Sequence, residues 1–306
     1  MAATDSDIKV KSTARSLRWV RRRRALRSFV DTYRRSTMGM IGLVIMILFI
    51  AMALFGPLLV DHSRLSVSSP PGRPFQPPSA QFWLGTDNWG RSVLDLIVYG
   101  ARISLLVGFA ATVFTMLLGA GIGIFGPYYG GHIDSAFNGI TNWFLVLPWV
   151  PLAIVLTAVL GPSLFNIIFV IAITSWAGTA RLVRAQTLSV KERPFVERAR
   201  ALGSSDWHLI SRHILPNVFP VIFANTVLTV ALSILAETTL SLLGLGDPNA
   251  VSWGGIIFES FDAGSITAGY WWWLIPPGLM IVLVTLAFTM CGYALDEVLN
   301  PRLRAR

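Results

Sequence analysis

The feature that most constrains this chain is a set of six long apolar stretches, each of a length that suits a bilayer rather than a water-soluble core. A hydrocarbon core about 30 Å thick needs roughly 20 predominantly apolar residues of helix to cross it. The stretches that meet this requirement are about 38–60, 101–125, 136–160, 164–184, 217–243 and 273–295. Only Gly161-Pro162-Ser163 separates the third from the fourth, so those two read as a tight hairpin. Composition agrees, with 54% hydrophobic residues and 13% charged, where soluble domains carry about 25% charged. A lipid-facing surface is penalised for each charge that a water-facing one needs. The expected fold class is an all-α integral membrane protein of about six transmembrane helices.

Six crossings put both termini on one side, and the basic residues say which. Eleven of the 25 Lys and Arg lie between Lys9 and Arg35, seven between Arg181 and Arg212, and three at Arg302, Arg304 and Arg306. The other side holds Arg64, Arg73 and Arg91, with Arg102 at a membrane edge. Both termini are therefore expected in the cytoplasm. The early basic block, including Arg21-Arg22-Arg23-Arg24, abuts the first apolar run, so it reads as a flank on anionic lipid rather than an arm for nucleic acid. The basic stretch is far longer than the n-region of a signal peptide, and the first apolar run reads as a retained helix.

The chain divides accordingly. Residues 1–37 are a basic cytoplasmic segment, 38–60 the first helix, and 61–100 an external loop with an interfacial second half carrying Trp83, Trp89 and Tyr99. Residues 101–297 are a five-helix core and 298–306 a tail. The external segment 244–272 ends in Tyr270-Trp271-Trp272-Trp273, read as an interfacial aromatic belt.

The cytoplasmic loop 185–216 is the most informative connection. Arg193-Pro194 starts a helix, since proline suits the first helical position. Phe195, Ala199 and Leu202 then recur at helical spacing as a small apolar face, and Gly203 is a natural stop. Ser204-Ser205-Asp206 can cap a second short helix through Trp207 and His213, with Pro216 opening the next span.

The chemistry missing from the sequence is equally constraining. The lysines are Lys9, Lys11 and Lys191, none preceded by glycine, so no phosphate-cradling Gly-Lys-Ser/Thr can be written. His62, His132, His208 and His213 form no His-Glu-x-x-His, no Gly-x-Ser-x-Gly exists, and the single cysteine, Cys291, lies in an apolar run. No catalytic residues, metal site or cofactor are expected in this chain. Glu237 is the exception inside the spans. It either lines a permeation path, pairs with a partner helix, or is a carboxyl hydrogen-bonded to Ser or Thr in the bundle.

Glu197-Arg198-Ala199-Arg200-Ala201-Leu202-Gly203 followed by Arg212-His213-Ile214-Leu215-Pro216-Asn217 resembles the cytoplasmic signature loop of bacterial ABC-importer permeases. That loop is usually written Glu-Ala-Ala, three residues, Gly, and a later Ile-x-Leu-Pro. Here Arg198 replaces an alanine and the isoleucine directly precedes Leu-Pro. Leu84-Gly85-Thr86-Asp87-Asn88-Trp89-Gly90-Arg91 with Tyr99-Gly100-Ala101-Arg102-Ile103-Ser104-Leu105 resembles the dipeptide and oligopeptide permeases within that group. So do Glu237 with Leu240 to Gly246, Ser252-Trp253-Gly254-Gly255, and Asn300-Pro301-Arg302-Leu303-Arg304. Together they point to the second, C-type permease subunit.

The resemblance implies a type I importer fold in a bacterial cytoplasmic membrane. It also implies a homologous permease, two ATPase subunits or one fused double ATPase holding ATP and Mg, and an extracytoplasmic substrate-binding protein. It makes 197–203 a coupling helix, with Phe195, Ala199 and Leu202 facing an ATPase groove and Glu197, Arg198 and Arg200 on its rim. Glu237, Asp87, Arg91 and Arg102 become path or gate candidates, and segments 82–91 and 244–272 a docking surface. Haem, nickel chelates or glutathione are the alternative cargoes. The rivals of other classes are a proton-coupled carrier acting alone, which predicts internal repeats and more intramembrane ionisable groups than are present, and a membrane scaffold, which leaves the 197–217 loop unexplained.

Overall fold

A computed structural model describes Arg27 and residues 29–299. The basic block before residue 27 and the tail from 300 lie outside the described residues. After a helical stretch over 29–35, the long helices are α1 (Thr37–Leu59), α2 (Val93–Tyr129), α3 (Gly131–Val146), α4 (Trp149–Leu160) and α5 (Leu164–Lys191). They are followed by α6 (Pro194–Ala201), α7 (Asp206–Leu209), α8 (Leu215–Leu240), α9 (Trp253–Asp262), α10 (Ser265–Ala268) and α11 (Trp271–Leu299).

Among the described residues, five helical units are each long and apolar enough to cross a membrane, and α3 with α4, bent by 93°, make the sixth only if taken together. The third stretch is thus a broken crossing rather than the continuous helix expected over 136–160. Leu147 is extended (ψ 131°) and Pro148 caps α4, because the residue before a proline avoids the helical region. That the pair does traverse the bundle follows from its neighbours. At one end Lys191 Nζ, closing α5, donates to the Pro127 carbonyl near the end of α2 at 2.9 Å. At the other, Leu164 N–H, opening α5, donates to Asp247 at 3.1 Å. Since α2 and α5 run the same way, α3 and α4 must carry the chain back between them.

Where the other boundaries differ most from the sequence reading, in α2, α5 and α11, the helices are longer. α2 starts eight residues before the expected 101, because Ser92 caps it and Val93, Leu96 and Ile97 are buried in the core rather than spread on an interface. α5 runs on to Lys191, so the loop proper is shorter than 185–216.

α2 and α5 pack along an extended seam in which Gly119 and Gly123 take the place of side chains. A Cβ at Gly119 would sit 2.7 Å from that of Thr179, and one at Gly123 would sit 2.7 Å from the Ala180 carbonyl oxygen. Small residues at such spacing let two backbones approach where no hydrophobic effect drives association. A core of Trp253, Trp273, Val93, Leu96, Ile234 and Phe288 fills the end of the bundle away from α6. Trp272 and Trp273 belong to this packing: Trp273 is fully buried and Trp272 donates to the Thr86 carbonyl. Of the expected aromatic belt, only Trp271 is exposed.

Gly39 near the start of α1 packs on Ala294 near the end of α11, whereas Gly56 packs on Val98 at the start of α2. The two described ends of the chain therefore lie toward the same end of the bundle, the one that carries α6.

Candidate functional site

At that end the chain turns through α6, whose start is set as the sequence suggests. Arg193 is extended, Pro194 takes the first helical position, and Gly203 closes the helix with φ +80°. No atom would meet a Cβ at Gly203, so glycine is required there by backbone conformation alone. The apolar residues of α6 do not share one face. Val196 is fully buried and Ala199 packs beside it, both turned into a cluster of Ile124, Val183, Leu209, Ile210, Ile214 and Val218. Phe195 lies outside that cluster, 6.0 Å from the His213 ring, and Leu202 is 87% exposed. Glu197, Arg198 and Arg200 are exposed as well. Reading positions 195, 199 and 202 as one stripe overlooked Val196. The signal that could have found it is the 196/199 pair, three apart and flanked by charges.

The expected second helix also differs. α7 is one turn, followed by a π-turn over Ile210–Ile214 that leads straight into α8. Leu215 N–H donates to the Ile210 carbonyl, five residues back. This widened register comes just ahead of Pro216, which has no N–H to continue an ordinary helical ladder. α6 is therefore carried by a short hinge on the rod that begins at α7.

Three polar ties fasten this region to the bundle. Tyr128 donates to Asp206 at 2.6 Å, Lys191 caps α2 through the Pro127 carbonyl, and Arg184 meets Asp134 with bonds of 2.9 and 2.7 Å. Tyr128, Lys191 and Asp134 do not stand out in the sequence as ties, and Asp206 is legible there only as part of a cap, because each tie is defined by a partner far away in the chain.

The opposite end holds the other candidates. Asp87 is fully buried and accepts from the N–H groups of Trp89 (2.9 Å) and Arg91 (2.8 Å) and from Arg91 Nε (2.5 Å). The other side of the Arg91 guanidinium donates to Glu259 of α9 at 2.5 Å. The Asp87 and Arg91 side chains are 0% and 7% exposed, whereas that of Glu259 is 41% exposed. Burial raises the Glu259 carboxyl above its ordinary range, and Arg91 opposes that shift. Rather than an extended loop, segment 72–92 closes on itself: Gly72 N–H donates to Gly90, Phe75 N–H to Asp87, and the Thr86 hydroxyl to the Arg73 carbonyl at 2.6 Å. Phe75 stacks on Tyr270 at 4.7 Å. Segment 72–92, α9 and the start of α11 are thus joined by charge, hydrogen bond and ring contact.

Beside them is a cleft of about 520 Å³ between Tyr99 and Ile103 of α2, the 244–252 turn and the Arg91–Glu259 pair. Glu237 lies next to its wall, 2% exposed. Ser241, which lines the cleft, donates to Glu237 Oε1 at 2.8 Å, and Ser252, the N-cap of α9, lines the same cleft. Of the readings left open for this residue, the geometry shows the carboxyl hydrogen-bonded to Ser241, at the elbow where α8 passes through a second π-turn at Ser241–Leu245. Arg102 is not brought to this cleft; it is exposed and lines a separate groove against α1. Among the described residues no cluster of three or more His, Cys, Asp or Glu could hold a metal ion.

Residues 115–305 match the family described as binding-protein-dependent transport system inner membrane component, and 24–78 match the N-terminal TM domain of oligopeptide transport permease C. The chain is 37% identical over 278 residues to the dipeptide transport system permease protein DppC of Bacillus subtilis, covering 90% of this chain and 86% of that one. It is 34% identical to the oligopeptide transport system permease protein OppC of the same organism, covering 89% of this chain and 88% of the relative. It is 31% identical to the glutathione transport system permease protein GsiD of Pectobacterium atrosepticum, covering 91% and 92%. Among solved structures, inward facing conformations of the MetNI methionine ABC transporter share the fold, with TM-score 0.53 and 18% identity over 67% of this chain and 95% of that one.

Proposed function

From the premise that this chain belongs to the family of binding-protein-dependent transport system inner membrane components, we propose that it is one permease subunit of an ATP-driven importer of di- or oligopeptides. The peptide cargo is supported by the names borne by relatives that match most of the chain. Glutathione is the alternative cargo, favoured by one relative of that name. The chain supplies half of a path between two homologous permeases. A peptide backbone could not cross hydrocarbon unaided, because each unsatisfied polar group costs several kcal/mol there.

The observation that carries the coupling role is α6: a short charged helix anchored by Val196 and presenting Leu202, Glu197, Arg198 and Arg200 outward. A push on its outer face has two rigid routes into the bundle. One runs through the Val196 cluster and the π-turn into α8; the other runs through Tyr128 and Lys191 into α2. In this reading α6 seats in a groove of a partner ATPase. ATP and its Mg²⁺ are held by the ATPase subunits, and their closure rocks α2 and α8 so that the cavity between the permeases opens outward. Hydrolysis resets it. The α6 end faces the cytoplasm, since it carries the basic residues. Asp87, Arg91 and Glu259 then brace the outer surface on which a substrate-binding protein docks, and Glu237 braces the α8–α9 elbow behind it.

The test is ATP hydrolysis by the assembled complex, stimulated by peptide-loaded binding protein, with the native chain or with Glu197→Lys plus Gly203→Pro. The doubly substituted complex is expected to assemble yet lose stimulation. Full stimulation would remove α6 from the coupling role.

A further inference from the structure

Arg102, set aside above, lies where a cation is costly. An arginine is costly within hydrocarbon, about 2.5–3.5 kcal/mol at a helix centre and less toward the ends where it can reach the interface, and the apolar lining of this groove offers it no counter-charge. The groove, about 480 Å³, runs between α1 and α2, and Arg102 is the charged residue in an otherwise apolar lining that includes Leu54, Pro57, Leu58, Leu105 and Phe109. Its depth can be read from the packing. Gly56 meets the backbone of Val98, so Arg102, one helical turn further along α2, is level with the penultimate turns of α1. It shares the groove with Pro57 and Leu58 in the last turn. α1 is apolar up to that turn and is followed by Asp61, which marks the outer boundary of the hydrocarbon. A long basic side chain near such a boundary reaches toward the headgroups while its stem stays in apolar surroundings.

We propose that this groove binds a phospholipid, its phosphate on the Arg102 guanidinium and an acyl chain along Leu54, Leu105 and Phe109. A phospholipid matches both halves of the site: charge-assisted hydrogen bonds from arginine to a phosphate, and an apolar wall for the chain. It also fixes the position of α1, which otherwise meets the bundle along only part of its surface.

The experiment uses the complete complex in vesicles containing a photoactivatable phosphatidylglycerol, with labelled peptides mapped by mass spectrometry. Labelling is expected on 48–59 and 102–109. Arg102→Gln should lower it about tenfold, the equivalent of one charge-assisted contact, and Arg102→Lys should restore most of it. Leu54→Trp, which fills the groove and leaves Arg102 in place, should lower labelling too; this variant decides the matter if Arg102→Gln fails to assemble. Equal labelling in native and substituted complexes would overturn the proposal. So would an unlabelled groove in the native complex, which would mean that the partner permease covers it.

Discussion

Asp87 shows how one side chain organises the end of the bundle away from α6. Its carboxylate accepts two backbone N–H groups and the Arg91 side chain, all within the turn 87–91, and Arg91 carries the tie on to Glu259. Removing one partner of a buried ion pair strands the other, at about 3–5 kcal/mol. Asp87→Ala is therefore expected to loosen segment 72–92 as a unit, read as faster proteolytic cleavage there and a lower unfolding temperature of the complex. Glu259→Gln, at a partly exposed partner, should do much less. Equal effects of the two would place the weight of the network on Glu259. This site was only partly legible from sequence. Asp87 and Arg91 stand four apart within a distinctive motif, but Glu259 is 168 residues further on, and no local pattern links them. Glu237 was visible as a lone carboxylate in an apolar run, and its serine partner, Ser241, lies one turn further on, at the end of its own helix.

At the scale of elements, most helices were visible because their apolar runs are long, and their ends were not, because ends are set by tertiary packing. α2 extends outward since Val93, Leu96 and Ile97 have a core to enter; hydropathy alone cannot see that core. The break between α3 and α4 was written in Pro148, yet a proline inside an apolar run is also tolerated in membrane helices, so the sequence left both outcomes open. Val196 and the π-turn at Ile210–Ile214 were the least legible parts of the α6 region, as both depend on α6 folding back onto α8. The α2–α5 seam makes a sharper prediction. Gly123→Val would press a branched side chain against the Ala180 carbonyl and Val183, an overpacking that costs about 1–3 kcal/mol. The yield of folded chain in the membrane should fall, whereas Gly121→Val, at a position where a Cβ meets no neighbour, should leave it near the native level. Matching losses would show that the seam does not depend on close approach.

For the whole molecule, the described chain ends and α6 lie at one end of the bundle, and the braced segment 72–92, α9 and the cleft at the other. Among the described residues, five helices of membrane-crossing length and one bent pair connect them. This separation is what the proposed alternating-access role requires: one end for an ATPase and one for substrate, joined by rods that transmit motion rather than absorb it. The most direct test is ATP-dependent uptake of a labelled dipeptide into vesicles that contain this chain with its permease, ATPase and binding-protein partners. The account predicts accumulation that needs ATP and all partners and that falls to background with Glu197→Lys plus Gly203→Pro. ATP-independent accumulation by this chain alone would contradict it.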